Sequence, residues 1–268
     1  MSETFYNARN LNIENGFVRN PNRYYLEEFF KQRPALNAAV ANNTSNKNFE
    51  VLGTGMTTEL CTFNSNRAAI KITTAGSAND QGIILPHLDP NQTAWTGIKW
   101  GTENQIEWEC AISLPEINNI KIWAGLKSSN TQVIETNDDQ LFFKFQTDKD
   151  NSNLETFSEY SKLHFIHSID GIDYISQLPI TVAANTIYRL RISVDSNRKA
   201  SIFVNDIQYN ITTTSGSTGG TAVTTGTTKS ASLKNDTDLI PYIGVHAETG
   251  DQKALDVYYQ KISRVLFE

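Results

Sequence analysis

The chain of 268 residues carries 23 Lys and Arg against 29 Asp and Glu, a formal net charge of -6, with the basic residues scattered singly. Nucleic acid is thereby excluded as a partner, because phosphate binding needs clustered Lys and Arg to release counterions. A membrane span needs about 18 consecutive apolar residues and no run approaches that, whereas 13 Phe, 10 Tyr and 4 Trp suffice to fill the space between two sheets.

The opening MSETFYNARNLNIENGF lacks a cationic start followed by an apolar run, so no secretory signal is expected there and the chain is placed in an aqueous compartment. Residues 1–48 are Asn-rich and poor in β-branched runs, and read as an N-terminal arm with one short helix in NPNRYYLEEFFKQRPAL. Asn20 can cap it, Pro21 suits the first helical position, Glu27 lies four residues before Lys31, and Pro34 ends it. Tyr24, Tyr25, Phe29 and Phe30 give that segment more aromatic surface than a solvated helix needs. They are the candidate assembly contacts, docking on the chain's own sandwich or on a neighbouring subunit. The polar, breaker-rich ANNTSNKN at 41–48 sets the boundary.

From residue 49 to 268, strand signals alternate with turn chemistry: ELCTFN, AAIKITTAG, GIILPHL, NQIEWECAISL, IKIWAGLKS, QLFFKFQ, KLHFIHSI and, near the C-terminus, LIPYIGVHAE and ALDVYYQKISRVLFE. At least nine strands are implied, an all-β jelly-roll sandwich. IYRLRISVD and KASIFVND, joined by a turn at 196–198, predict an antiparallel hairpin. Residues 212–232 are nearly all Thr, Ser, Gly and Ala, and predict a long exposed loop that is either a tolerated insertion or a contact that orders on a partner.

Cys61 and Cys110 sit inside apolar strand-like runs and read as reduced core cysteines, with a disulfide as the alternative. His87, His164, His167 and His246 belong to no nucleophile motif; the odd spacing of His164 and His167 places them on opposite faces of a strand. Glu107 and Glu109 alternate as a glycosidase acid pair would, yet a solvent-facing pair on an edge strand explains them equally. Asp138, Asp139, Asp148 and Asp150 could ligate calcium without the EF-hand spacing, and Trp95, Trp100, Trp108 and Trp123 are either a sugar platform or core. No catalytic residue, cofactor or metal is assigned.

The hairpin YRLRISVDSNRKASIFVND resembles the strand pair of concanavalin-like, laminin-G-type jelly rolls, with Asp206 where that family has Gly. More widely, FEVLGTGMTTELCTFN, GIILPHLDPNQTAWTGIKWGTENQIEWE, IWAGLKSSNT and DTDLIPYIGVHAETGDQKALDVYYQKISRVLFE resemble structural proteins of aquatic bacteriophages and other aquatic viruses. That resemblance implies a virion component, capsid-decorating or fibre-like, assembled in the host cytoplasm and attached to a capsid or other virion protein through the arm. A homo-oligomer such as a trimer would suit a fibre. The alternatives are a glycan-binding receptor-recognition module and, third, a glycoside hydrolase.

Overall fold

The computed structural model describes residues 22–37, 49–86, 99–129, 138–147 and 156–266, and in them the chain forms two facing sheets. Strands are numbered along the chain. The first sheet runs β15 (Ile207–Tyr209), β14 (Ala200–Val204), β13 (Ile187–Val194), β7 (Glu107–Ser113), β18 (Ala254–Val265), β5 (Ala69–Thr73) and β4 (Cys61–Asn64), with β1 (Arg23–Phe29) also on β18. The second has ten strands. Its order is β10 (Thr156–Phe157), β16 (Gly216–Ala222), β12 (Ile172–Thr181), β11 (Lys162–Ile169), β9 (Gln140–Gln146), β8 (Ile120–Lys127), β17 (Ile240–Ala247), β6 (Gln81–Pro86), β3 (Phe49–Leu52) and β2 (Leu36–Asn37).

Side chains alternate across each strand, so every second residue points between the sheets. Trp108, Cys110, Ile112, Leu190 and Ile192 enter that space from the first sheet, and Ile122, Ala124, Phe143, Phe165 and Val245 from the second. The all-β sandwich expected from the alternating runs is therefore what forms. Its predicted hairpin is present in the predicted register, with Leu190 opposite Val204, Ile192 opposite Ile202 and Val194 opposite Ala200. The turn is held by the Asp195 carboxylate, which accepts from the amides of Asn197 and Lys199 at 2.8 and 3.0 Å, while Arg198 takes a left-handed φ of 57°. Asn205 and Asp206 both have positive φ in the next turn, so the Asp that replaces the family's Gly occupies a left-handed position.

Cys61 and Cys110 are free and buried. Two strands, β5 and β18, separate theirs, about 14 Å at ~4.8 Å per strand, beyond the reach of a disulfide. Burial pushes the Cys61 thiol up to about 12 and raises that of Cys110.

Three expectations need correction. The helix expected in NPNRYYLEEFFKQRPAL is instead strand β1 over Arg23–Phe29, antiparallel to the C-terminal half of β18 from Arg23↔Val265 to Phe29↔Tyr259. Local capping and ion-pair signals favoured a helix, but seven paired residues and an inward Tyr24 and Leu26 outweigh a propensity difference of under 1 kcal/mol per residue. Asn20 and Pro21 lie outside the described residues.

The boundary near residue 49 moves accordingly. Phe30 is 1 % exposed and packs on Phe49 at 5.4 Å, and the Arg33 guanidinium donates to the carbonyls of Cys61, at 2.8 Å, and Thr58. Within 22–37 the chain is sandwich rather than arm.

The third correction concerns 212–232. Gly216–Ala222 is strand β16, parallel to β12 and β10. The segment continues in bonds such as Val223 N to Gln177 O at 3.0 Å and Ser230 N to Ala200 O at 3.0 Å. Composition forecasts side-chain burial, whereas this segment is held by its backbone, which small residues bring close to β12. At Gly220, φ +68°, an added Cβ would meet Ile175 Cγ2 at 3.0 Å.

Candidate functional site

Positions that alternate with the core set emerge on the outer face of the ten-stranded sheet, and there the sequence is unusual for a solvent face. Strand pairing arranges these side chains in rows across the sheet. One row reads Gln177, His164, Lys144, Trp123 and Gly244 from β12 to β17. The next is apolar: Ile175, Ile166, Phe142, Gly125 and Tyr242. A third reads Asp173, Ser168, Gln140 and Lys127. On the far side of the first row, Gln146, Lys121 and His246 stand abreast.

An aromatic band thus lies between polar rows. Phe142 and Tyr242 meet over Gly125 with ring centroids 6.3 Å apart, and a Cβ at Gly125 would stand 2.1 Å from the Leu141 carbonyl oxygen, so only glycine fits. Trp123 lies 5.8 Å from the His246 ring, and Phe157 stacks on His164 at 3.7 Å and 8°. Each lysine ammonium sits over a ring: Lys121 on Trp123 at 5.8 Å, Lys127 on Tyr242 at 5.3 Å and Lys144 on Phe157 at 5.3 Å.

The polar rows are organised. Ser168 donates to Asp173 Oδ1 at 2.5 Å, and Gln140 Nε2 donates to Ser168 at 3.1 Å, leaving Gln140 Oε1 buried without a hydrogen-bond partner. Gln177 Nε2 donates to Glu159 at 3.3 Å. His164 Nδ1 contacts the Lys162 carbonyl at 3.0 Å. Burial pulls the His164 imidazole down to about 4, against hydrogen bonding to the Lys162 carbonyl and the Gln177 side chain, which favours its charged form. Burial likewise brings Lys127 down to about 8. These side chains are buried.

Other sequence candidates fall elsewhere. His164 is on this outer face while His167, opposite Tyr174 and stacked on it at 4.7 Å, points inward beside Phe165, as their odd spacing predicts. Glu107 and Glu109 lie on the outer face of the other sheet, on a central strand rather than an edge. There Glu107 is paired with Arg191 at 2.9 Å and Glu109 accepts from the Tyr259 hydroxyl, which makes them rungs of a cross-strand polar ladder. Trp100 and Trp108 are buried core residues, whereas Trp123 belongs to the outer face; Trp95 and His87 lie outside the described residues.

Of the assembly candidates, Tyr24 packs against the core and faces Trp100 at 6.4 Å, and Phe30 is core. Tyr25 is half-buried on the outer side, and Phe29, 45 % exposed, rests on Tyr259 at 5.7 Å. Asp138 and Asp139 bracket the β11–β12 turn, where Lys234 binds Asp170 at 2.6 Å; Asp148 and Asp150 lie outside the described residues. Among the described residues no group of three His, Cys, Asp or Glu is placed to hold a metal. An open polar pocket of ≈ 310 Å³ lined by Lys99, Glu103, Asn104, Asp236, Asp238 and Arg264 contains the Lys99–Asp238 ion pair at 2.8 Å.

No protein-family model matches the chain, and no curated protein sequence matches it. Solved structures do, at the level of fold. The carbohydrate recognition domain of Emp46p in its potassium-bound form matches with a TM-score of 0.50 and 7 % identity, over 80 % of this chain and 88 % of that one. Peanut lectin with a nine-residue peptide matches with a TM-score of 0.51 and 12 % identity, over 92 % and 99 %. The apo Crh5 transglycosylase matches with a TM-score of 0.51 and 8 % identity, over 90 % and 84 %. The fold is a concanavalin-like jelly roll.

Proposed function

We propose that the chain is a non-catalytic glycan-binding module whose ligand lies on the outer face of the ten-stranded sheet. The observation that carries this is the aromatic band of Phe142, Tyr242 and Trp123 flanked by rows of amide, imidazole and ammonium groups. A pyranose offers an apolar C–H face and an equatorial rim of hydroxyls, and this arrangement presents the rings and the planar polar partners such a molecule requires. Support also comes from the fold, which the chain shares with a carbohydrate recognition domain and a lectin.

Carboxylate placement favours binding over hydrolysis. Among the described residues, the strands themselves put Glu50 and Asp173 on this face, on β3 and β12, six strand spacings or about 29 Å apart along the sheet, and Glu159 is held by Gln177 at 3.3 Å, whereas glycosidase pairs stand ~5–9.5 Å apart. On an array of neutral and acidic oligosaccharides, the unaltered chain is expected to bind at least one class without cleaving it. Trp123→Ala should weaken that binding about tenfold or more, a loss of ~1.4 kcal/mol or above, measured well below the melting temperature of a variant that the cavity destabilises by about 3–5 kcal/mol. Cleavage of a bound oligosaccharide, or full binding by Trp123→Ala, would contradict the reading.

The virion location implied by the sequence resemblance is a separate proposal, in which such a module would sit on a particle surface, bound to a capsid protein and in several copies. It predicts that the chain co-purifies with particles. Its absence from purified particles would remove that proposal and leave glycan binding intact.

A further inference from the structure

We propose that the glycan taken by this face is a linear chain of unsubstituted sugars laid along β9 and β11, whose hydroxyls donate to Gln140 Oε1, Gln177 Oε1 and His164 Nε2. The inference rests on the glycan-binding reading and adds the class of ligand and the direction in which it lies.

Three side chains of this face, each at most 8 % exposed, share one pattern: the end that donates is tied to an acceptor of the chain, and the end that accepts is buried without a hydrogen-bond partner among the described residues. Gln140 Nε2 donates to Ser168, whose own hydroxyl proton is engaged by Asp173, so the amide cannot be turned round and Oε1 is left over. Gln177 Nε2 donates to a Glu159 carboxylate oxygen, which only accepts, and again Oε1 is left over. His164 Nδ1 faces the Lys162 carbonyl, so in the neutral ring that nitrogen carries the proton and Nε2 is a bare acceptor. Burial keeps the ring neutral down to about pH 4. An acceptor taken out of water and left unpaired loses its hydration and gains nothing in exchange, so three of one polarity on one face point to a ligand that brings donors. Sugar hydroxyls do so. Ethers, esters, carboxylates and sulfates bring only acceptors.

The direction follows from where these acceptors stand. His164 and Gln177 are abreast on β11 and β12, about 4.8 Å apart, so neighbouring hydroxyls of one sugar can serve both. Gln140 belongs to the row of Ser168, which lies four residues along β11 from His164, about 14 Å at ~3.4 Å per residue. One pyranose does not reach that far. A chain running along the strands does, and on its way it crosses Ile166 and Phe142, which pair between the two polar rows and offer an apolar bed for the ring faces. A chain laid across the strands instead would meet the acceptors of one row only.

The test is titration calorimetry on the intact chain with cellotetraose, laminaritetraose and maltotetraose, each beside its fully O-methylated form and beside glucose. At least one tetraose is expected to bind about tenfold or more tighter than both its O-methylated form and glucose. Gln140→Met and Gln177→Met keep a side chain of similar length and remove the acceptor, and each should lower the affinity for that tetraose about tenfold while leaving that for the O-methylated form within about twofold, a difference that altered packing alone does not produce. Should a variant fail to fold, the O-methyl comparison on the unaltered chain and a shift of the His164 Nε2 resonance in nitrogen NMR on adding the tetraose carry the test without a substitution. Equal affinity for free and O-methylated forms would overturn the donor assignment and leave the glycan reading standing. Glucose bound as tightly as the tetraose would overturn the chain along the strands. Undiminished tetraose affinity in both variants would overturn the assignment to these glutamines. Absence of binding to all three tetraoses would overturn this inference alone if the oligosaccharide array scores another class, and the glycan reading with it if the array is empty.

Discussion

A chain shortened to begin at residue 49 is expected not to reach the native state as a soluble monomer. The cut removes β1 and with it a seven-residue antiparallel partner of β18, exposing Ile262 and Trp100 where Leu26 and Tyr24 now pack. It also removes Phe30, wedged against Phe49, and the Arg33 guanidinium that binds two carbonyls before and within β4. The point substitution Phe30→Ala isolates one part of this. Deleting a fully buried phenylalanine leaves a cavity and is expected to cost about 3–5 kcal/mol, a large share of the ~5–15 kcal/mol that holds a domain together. Chemical denaturation of the variant reads the loss directly. If the chain from residue 49 folds with the full melting temperature, or Phe30→Ala costs under 1 kcal/mol, then 22–37 is an arm after all.

Acid should be the second severe perturbation. His164 and His167 are both buried and both held near 4, against about 6.5 in an unfolded chain. A base whose folded pKa is depressed is neutral in both states above 6.5, so its environment carries no penalty there. Below 6.5 the unfolded chain gains protons that the native state refuses, and stability falls until pH reaches about 4. Two such groups together remove on the order of 5 kcal/mol between pH 7 and 4.5. His167→Leu, in its apolar setting between Phe165 and Tyr174, should remove about half of that pH dependence in urea titrations. An unchanged slope in the variant would show that these imidazoles do not govern the acid transition.

What was legible in the sequence was what neighbours in the sequence determine. The β13–β14 hairpin could be read residue by residue because both partners and their turn lie within about twenty positions. The opposite orientation of His164 and His167 followed from strand parity alone. Strand β1 escapes a local reading because its partner residues lie 230 to 242 positions away, so only its weak local signals for a helix are visible. Segment 212–232 was misread because its order comes from backbone pairing with β12, which composition does not record. The candidate site was missed for a related reason: it has no motif, since each strand contributes one or two residues to it. A signal did exist. In IKIWAGLK, QLFFKFQ and KLHFIHSI, one parity is filled by core residues and the other by Lys, Trp, Phe, Gln and His, where a merely solvated face would carry small polar residues.

The pairing of β1 with β18 also sets an order of events during synthesis. Arg23 leaves the ribosome 242 residues before Val265, so the first described strand cannot find its partner until β18 has been made. At ~5–20 residues per second, Tyr24 and Leu26 spend about 10–50 s without their partner strand. Closure of the first sheet is thus a late step that must bring together residues more than 200 positions apart, the kind of non-local contact that slows folding.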